Sequence, residues 1–154
     1  MIQLWRFKMD GIEIIELTLH EDKRGWLGEI FRNDETPFKP AMAYMSMTIP
    51  GGIRGPHEHT EQTDYFCMIG NFRLYLWDNR ESSSTYQVNK IIEISENIPV
   101  LAIIPPGVVH AYKNCGASYG YVLNLPDRLY RGWGKTKPVD EIRHEDDPLS
   151  AFRV

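Results

Sequence analysis

Cysteine is scarce. Cys67 and Cys115 are the only two in 154 residues, and they stand in no metal-ligand spacing with each other. A disulfide framework is not expected, and a reducing cytoplasm is the simplest home. No apolar run approaches the roughly 20 residues needed to span a bilayer, so no membrane contact is expected. The N-terminus, Met1–Asp10, lacks the apolar stretch of a secretory signal. A basic cluster is missing from the primary structure as well. With 17 Lys and Arg against 21 Asp and Glu, the net charge is −4. Phosphate affinity of the nucleic-acid kind needs clustered cations, so a nucleic-acid partner is not expected. Repeats, low-complexity tracts and clear linkers are also absent, and one domain over residues 1–154 is the expectation.

What is present is short apolar runs between turn signals. They are Gly11–Leu17, Leu27–Phe31, Ala41–Ile49, Asp64–Ile69, Asn71–Asp78, Tyr86–Ile94, Pro99–Ile104 and Tyr119–Leu125. Turn residues separate them at 22–25, 50–52, 69–71, 78–82, 96–97 and 105–107. Many short strands with few helical periods predict an all-β sandwich or barrel. Residues 72–77 alternate as a strand with one wet face does. The segment Lys135–Val154 is polar and proline-punctuated, and reads as a short helix or irregular segment over one end of the sheets. Its charged run, 139–148, reads as a solvated face. Aromatic residues make up 12% of the chain. They can fill a core and a dimer interface, or they can stack on a sugar-like ligand.

Three of the five histidines fall in two Gly/Pro-bracketed motifs. The first runs from Gly51 through His57, His59 and Asp64 to Gly70. The second runs from Pro105 and Gly107 through His110 to Asn114. On a strand, His57 and His59 project to one face, because side chains alternate with period two. The turn at 105–107 then delivers His110 from another strand. Three converging imidazoles make either a metal site or an acid/base site. His20 and His144 read as surface residues.

This spacing resembles the paired motifs of the cupin superfamily, which implies a jelly-roll β-sandwich. Asp64 stands where cupins usually carry Glu, one residue closer to the closing glycine. A narrower resemblance runs from about Gly11 to Pro148. The order of Asp22, Arg24, Gly25, Glu29 and Phe31, then Arg54-Gly55-Pro56-His57, then Asp78, Arg80 and Ser82, then Ile104-Pro105-Pro106-Gly107 with His110 and Tyr112, then Asp146-Asp147-Pro148, is similar to the dTDP-4-dehydrorhamnose 3,5-epimerase family.

That resemblance implies an isomerase acting on a nucleoside-diphosphate 4-keto-6-deoxyhexose, in deoxysugar or polysaccharide biosynthesis. His57 would be the base that removes the proton beside the ketone. A weakly acidic proton of that kind needs a poised base and enolate stabilisation. Arg54 would hold a diphosphate oxygen through its planar fork. Arg24 and Glu29 would contact the nucleotide, in the family often across a dimer interface, and His110 and Tyr112 would complete the substrate site. For Arg54 and Arg24 the plain alternative is surface salt bridging.

Several family helpers are absent. Thr63 stands at the family's lysine, and no lysine lies between Lys39 and Lys90. The family's acid tyrosine falls near Leu123 or Asn124, with Tyr121 and Tyr130 close in sequence. The family's Gln and Asn on the strand before the first histidine fall at Met42 and Tyr44. The Asp that partners the base lies in a tail beyond Val154. His59 is new; it, or a tyrosine (Tyr130 or Tyr121), can assist by stabilising an enolate, and the plain alternative for His59 is a core or merely hydrogen-bonded histidine. The main expectation is a cofactor-free homodimer with His57, His59 and Tyr130 as catalytic residues. The alternatives are a divalent transition metal on His57, His59, Asp64 (or Gln62) and His110, and a binder of sugar nucleotides without catalysis.

Overall fold

The computed structural model describes residues 9–154, so the N-terminal strands expected to meet a dimer partner lie partly outside the described residues. Twelve strands are seen: β1 (Glu13–Glu16), β2 (Leu19–Asp22), β3 (Gly25–Gly28), β4 (Tyr44–Thr48), β5 (Ile53–Glu58), β6 (Asp64–Ile69), β7 (Phe72–Asp78), β8 (Asn89–Ile94), β9 (Val100–Ile104), β10 (Val108–Asn114), β11 (Gly120–Asn124) and β12 (Ile142–Arg143). They form two five-stranded antiparallel sheets, ordered β1-β9-β6-β11-β4 and β12-β5-β10-β7-β8, with β2 and β3 as a separate hairpin. This is the jelly-roll sandwich that the motifs implied. A single 3-10 turn, Trp133–Lys135, and the two-residue β12 are the only regular structure described after β11.

Alternation along the strands explains both the core and the site. On β6, Phe66 and Met68 face the sandwich interior, where they meet Phe72, Leu74, Leu76, Ile104, Val108 and Val122. Tyr65 and Cys67 face the opposite way and pack with Leu17 and Leu101, under Ile30, Phe31 and Phe38. The first sheet is therefore covered on both faces, and β6 is buried at all of its first five positions. Such two-sided burial produces an unbroken apolar run in place of alternation. The core face of β6 begins at Asp64, two residues before Phe66. On β10 the same face carries Val108, His110 and Tyr112, and on β11 it carries Val122 and Asn124. The polar site continues the apolar core at one end of the sandwich.

The expected run 27–31 is shortened to a strand ending at Gly28, because Ile30 and Phe31 leave the hairpin to cap the outer face of the first sheet. Gly120 lies over the core aromatic: a Cβ there would sit 2.3 Å from Phe72 Cζ. Asn114, fully buried, ties the two sheets together, with its side-chain amide donating to Thr48 O and Ser118 O, each at 2.8 Å.

Candidate active site

The two histidine motifs meet because β5 and β10 are neighbours in register, His57 opposite His110. The pairing slips between His110 and Tyr112, where β5 bulges at Gly55 and Pro56. A bulge re-aims the side chains beside it. Gly55 is required there: its φ is +81°, and a Cβ would lie 2.6 Å from the His110 carbonyl oxygen. The turn at 105–107 is pinned to the first motif by Gly107 N–H donating to His59 O at 2.8 Å. Ring centroids of His57 and His110 are 4.5 Å apart, those of His57 and His59 5.7 Å, and those of His59 and His110 6.0 Å. The trio converges as the sequence implied.

Asp64 is the hub. Its carboxylate is essentially fully buried. One oxygen accepts from Gln62 Nε2 at 2.8 Å and from Asn124 Nδ2 at 2.7 Å. The other lies 3.2 Å from His59 Nε2 and 3.2 Å from His110 Nε2. Burial alone would raise the Asp64 pKa, but the two imidazoles overcome it and hold the carboxylate ionised, well below the usual range. His59 is the counter-ion. Burial lowers its pKa, yet the bond to Asp64 outweighs that and raises it to about 9. Its other nitrogen, Nδ1, bonds the backbone carbonyl of Asp140. His57 behaves oppositely. Burial, then the neighbouring His110, pushes its pKa down to about 2, so it is a neutral imidazole. Glu141 Oε1 stands 3.9 Å from His57 Nδ1.

His110 Nδ1 donates to Val108 O at 3.0 Å, which leaves Nε2 as the nitrogen turned to the site. Although it lies close to Asp64, this buried nitrogen makes no well-formed hydrogen bond among the described residues. One donor atom from each of His57, His59, Asp64 and His110 falls within 4.8 Å of the others. A tetrahedral ion with bonds near 2.0–2.2 Å would need its ligands roughly 3.5 Å apart. The set fits an ion after a small contraction and deprotonation of His59.

A cleft of about 1610 Å³ opens over this cluster. Typical small-ligand pockets are about 300–1,000 Å³, so this one suits an extended ligand. His57, His59, Arg54, Tyr112, Tyr44 and Tyr130 all line it. Arg54 is steadied by Thr48 Oγ1 at 3.2 Å and Met47 O at 2.9 Å. Tyr112 is buried, with its hydroxyl 3.0 Å from Ser46 Oγ. Tyr130 is half exposed on the rim, whereas Tyr121, one residue out of phase with the core face of β11, is not part of the cleft wall. Arg24 and Glu29 lie outside this cleft. Arg24 pairs with Asp22 on the exposed β2–β3 hairpin, and Glu29 with Arg32.

Four residues enter the site beyond those singled out. Tyr44 on β4 pairs in register with Asn124 on β11. Its hydroxyl accepts from Asn124 Nδ2 at 2.9 Å. The ring edge stays open to the cleft, while burial around the hydroxyl pushes its pKa up to about 12. Asn124 also accepts from Tyr65 N–H at 3.0 Å. Asp140 accepts from the backbone N–H groups of Thr60, Glu61 and Gln62, each at 2.9 Å. Glu141 is the fourth. The charged run 139–148 is therefore not simply a solvated face: its first acids fold back over the residues after His59. His144 is likewise not a surface residue. It donates to buried Glu58 at 2.9 Å and packs on Phe152.

Residues 10–103 match the family model FdtA, described as WxcM-like, C-terminal. The chain is 36% identical over 123 residues to the probable low-salt glycan biosynthesis epimerase Agl13 of Haloferax volcanii, spanning 77% of this chain and 79% of that protein. It is 34% identical over 110 residues to the spore coat polysaccharide biosynthesis protein SpsL of Bacillus subtilis, spanning 70% of this chain and 73% of that one. A dTDP sugar isomerase from Desulfovibrio desulfuricans shares the fold, with a TM-score of 0.80 at 24% identity, over 94% of this chain and 90% of that one. With the family model covering more than half of its length, the chain belongs to the FdtA, WxcM-like C-terminal family.

Proposed function

We propose that the protein is a sugar-nucleotide epimerase or ketoisomerase, acting on a nucleoside-diphosphate 4-keto-6-deoxyhexose in glycan or polysaccharide synthesis. The observation that carries this reading is the unequal surroundings of two adjacent imidazoles in one cleft. His57 is buried with Glu141 no closer than 3.9 Å, which favours its neutral form, whereas His59 Nε2 lies 3.2 Å from the buried Asp64 carboxylate, which favours its cation. Neutral His57 removes the hydrogen α to the ketone. Negative charge then develops on the ketone oxygen. The His59 cation, fixed by Asp64 and the Asp140 carbonyl, supplies the field that stabilises it. Glu141 is placed to pair with His57 once that ring is protonated. Tyr44, kept neutral up to high pH, has its O–H free to donate, because its oxygen already accepts from Asn124. It returns the proton at the carbon or oxygen that the substrate pose selects, with Tyr130 on the cleft rim as a further contact. Arg54 holds the diphosphate. In a cytoplasmic homodimer Arg24 and Glu29 reach the neighbour's cleft, a role they do not fill within one protomer.

Incubation with dTDP-4-keto-6-deoxyglucose in D2O tests this directly. Deuterium is expected at a carbon next to the ketone, and is expected to vanish in His57→Asn. A wild-type protein that leaves the sugar unlabelled refutes it, and one that binds the nucleotide sugar without exchange is a binder.

A second reading is favoured by the unpaired Nε2 of His110. Here a divalent transition metal is held by His57, His59, Asp64 and His110, and would polarise the ketone as a Lewis acid. Elemental analysis of purified protein separates the two. Stoichiometric metal that is lost in His110→Ala supports the second, and full exchange activity in metal-free protein refutes it.

A further inference from the structure

We propose that the segment between Asp127 and Asp140 is a clamp for a nucleoside diphosphate, in which Arg131, Lys135 and Lys137 hold the phosphates and Trp133 stacks on the base. This rests on the nucleotide-sugar reading of the cleft and says which residues take the nucleotide half. The segment contains Arg128, Arg131, Lys135 and Lys137 and no acid, in a chain whose overall charge is negative. The sequence hides this cluster because the cations are spaced among Gly, Trp and Tyr. The fold gathers all four on the wall of the histidine cleft. Arg128 is already matched by Asp127 at 3.6 Å. Arg131 reaches only the Lys137 carbonyl oxygen, at 3.4 Å. Among the described residues no carboxylate pairs with Arg131, Lys135 or Lys137.

The arch is built, not slack. Its backbone closes on itself, with Gly132 N–H donating to Leu129 O at 2.8 Å and Lys137 N–H to Arg131 O at 2.8 Å. Arg131 and Lys135 adopt φ of 58° and 59°. Side chains other than glycine seldom occupy that left-handed region, and it recurs at ligand clamps. Both feet stand on the turn that follows His59. Asp127 accepts from Thr63 N–H at 2.9 Å, and Asp140 accepts from the three N–H groups before it. The arch therefore begins where the reactive imidazoles end. A sugar over His57 would send its diphosphate along this wall. Trp133 is 85% exposed, an unusual state for so large a ring unless it awaits a flat partner. Aromatic stacking accepts any base, and cations near the backbone supply phosphate affinity.

Calorimetric titration with four probes tests the clamp: dTDP, UDP, inorganic pyrophosphate and thymidine. The wild-type protein is expected to bind dTDP with an affinity that falls as salt rises. The double variant Lys135→Ala/Lys137→Ala is expected to weaken dTDP and pyrophosphate at least tenfold and to flatten the salt dependence. Trp133→Ala is expected to weaken dTDP and thymidine while leaving pyrophosphate unchanged. All three side chains are exposed, so unchanged thermal unfolding confirms that the variants fold. If both variants bind dTDP as the wild type does, the clamp is wrong and the nucleotide reading stands. If the wild type binds neither dTDP nor UDP, both fall together.

Discussion

Replacing Asp64 by Asn removes one charge and almost no volume. The Asn carbonyl oxygen keeps the bonds from Gln62 and Asn124, while its amide now faces His59 and His110. The amide cannot compensate an imidazolium, so His59 should give up its proton. The rise of the His59 pKa from 6.5 to about 9 is equivalent to about 3 kcal/mol. Breaking a buried ion pair from one side costs a similar amount, about 3–5 kcal/mol. The pH window follows from the signs. His59 has a raised folded pKa, so its contribution is complete below the unfolded value of 6.5 and is lost as pH climbs through about 9. Asp64 has a depressed folded pKa, so its contribution is present above the unfolded value of 3.8 and is lost as pH falls into the acid range. The pair stabilises most between those two unfolded values. Urea unfolding of wild type and Asp64→Asn at pH 5.5 and pH 9.5 is the assay. The gap should be about 3 kcal/mol at the lower pH and clearly smaller at the higher. A gap that is the same at both values means His59 is neutral in the native protein. The charge-state reading of the site would then be wrong.

Tyr44→Phe loses one hydrogen bond from Asn124 and should cost about 1 kcal/mol of stability. It should lower kcat about 10²-fold or more while deuterium exchange at the α carbon persists; an unchanged kcat removes Tyr44 as the acid. Gly55→Ala forces a methyl against the His110 carbonyl at a positive φ and should destabilise by about 2 kcal/mol. It should also separate His57 from His110, seen as altered imidazole shifts in NMR spectra. A variant as stable as wild type with the same spectra shows that the bulge tolerates a side chain.

Much of the sandwich is legible in the sequence, because alternation and turn residues act locally. Asp64–Ile69 has the bounds read from the chain, and the cores of β7, β8, β9 and β11 lie inside the runs that marked them. Four strands lie outside the apolar runs: β5 and β10, which the histidine motifs carry, and two that nothing marked. Residues Leu19–Asp22 form β2 with mostly exposed polar side chains, and β12 is two residues on a sheet edge. The histidine trio was legible too, since two strand motifs carry it. Asp140 and Glu141 were not. Their contacts with residues 57–62 cross about eighty positions of chain. An acidic run reads as solvated until that return is known. Arg131, Lys135 and Lys137 escaped notice because their density becomes visible only when the arch brings them to one wall.

Each apparent loss at the reactive centre has a substitute within reach, which is the reason to treat the site as altered and not abandoned. The missing lysine at Thr63 would have supplied a positive charge for an enolate; the His59 cation, locked to Asp64, supplies one from the neighbouring strand end. A carboxylate is also at hand for the base: Glu141 approaches His57 from the segment that returns along β5. By the family resemblance, the acid tyrosine falls near Leu123 or Asn124 and the asparagine at Tyr44, so that the tyrosine would have changed places. Asn124 and Tyr44 are direct partners across β4 and β11, joined side chain to side chain. An exchange between partnered positions keeps one phenol and one amide in the same small volume. The hydroxyl, however, enters the cleft from the other strand. A proton returned from there approaches a bound sugar along a different direction. On the epimerase reading proposed above, that direction is a physical reason to expect one carbon epimerised or the ketone shifted in place of two centres inverted.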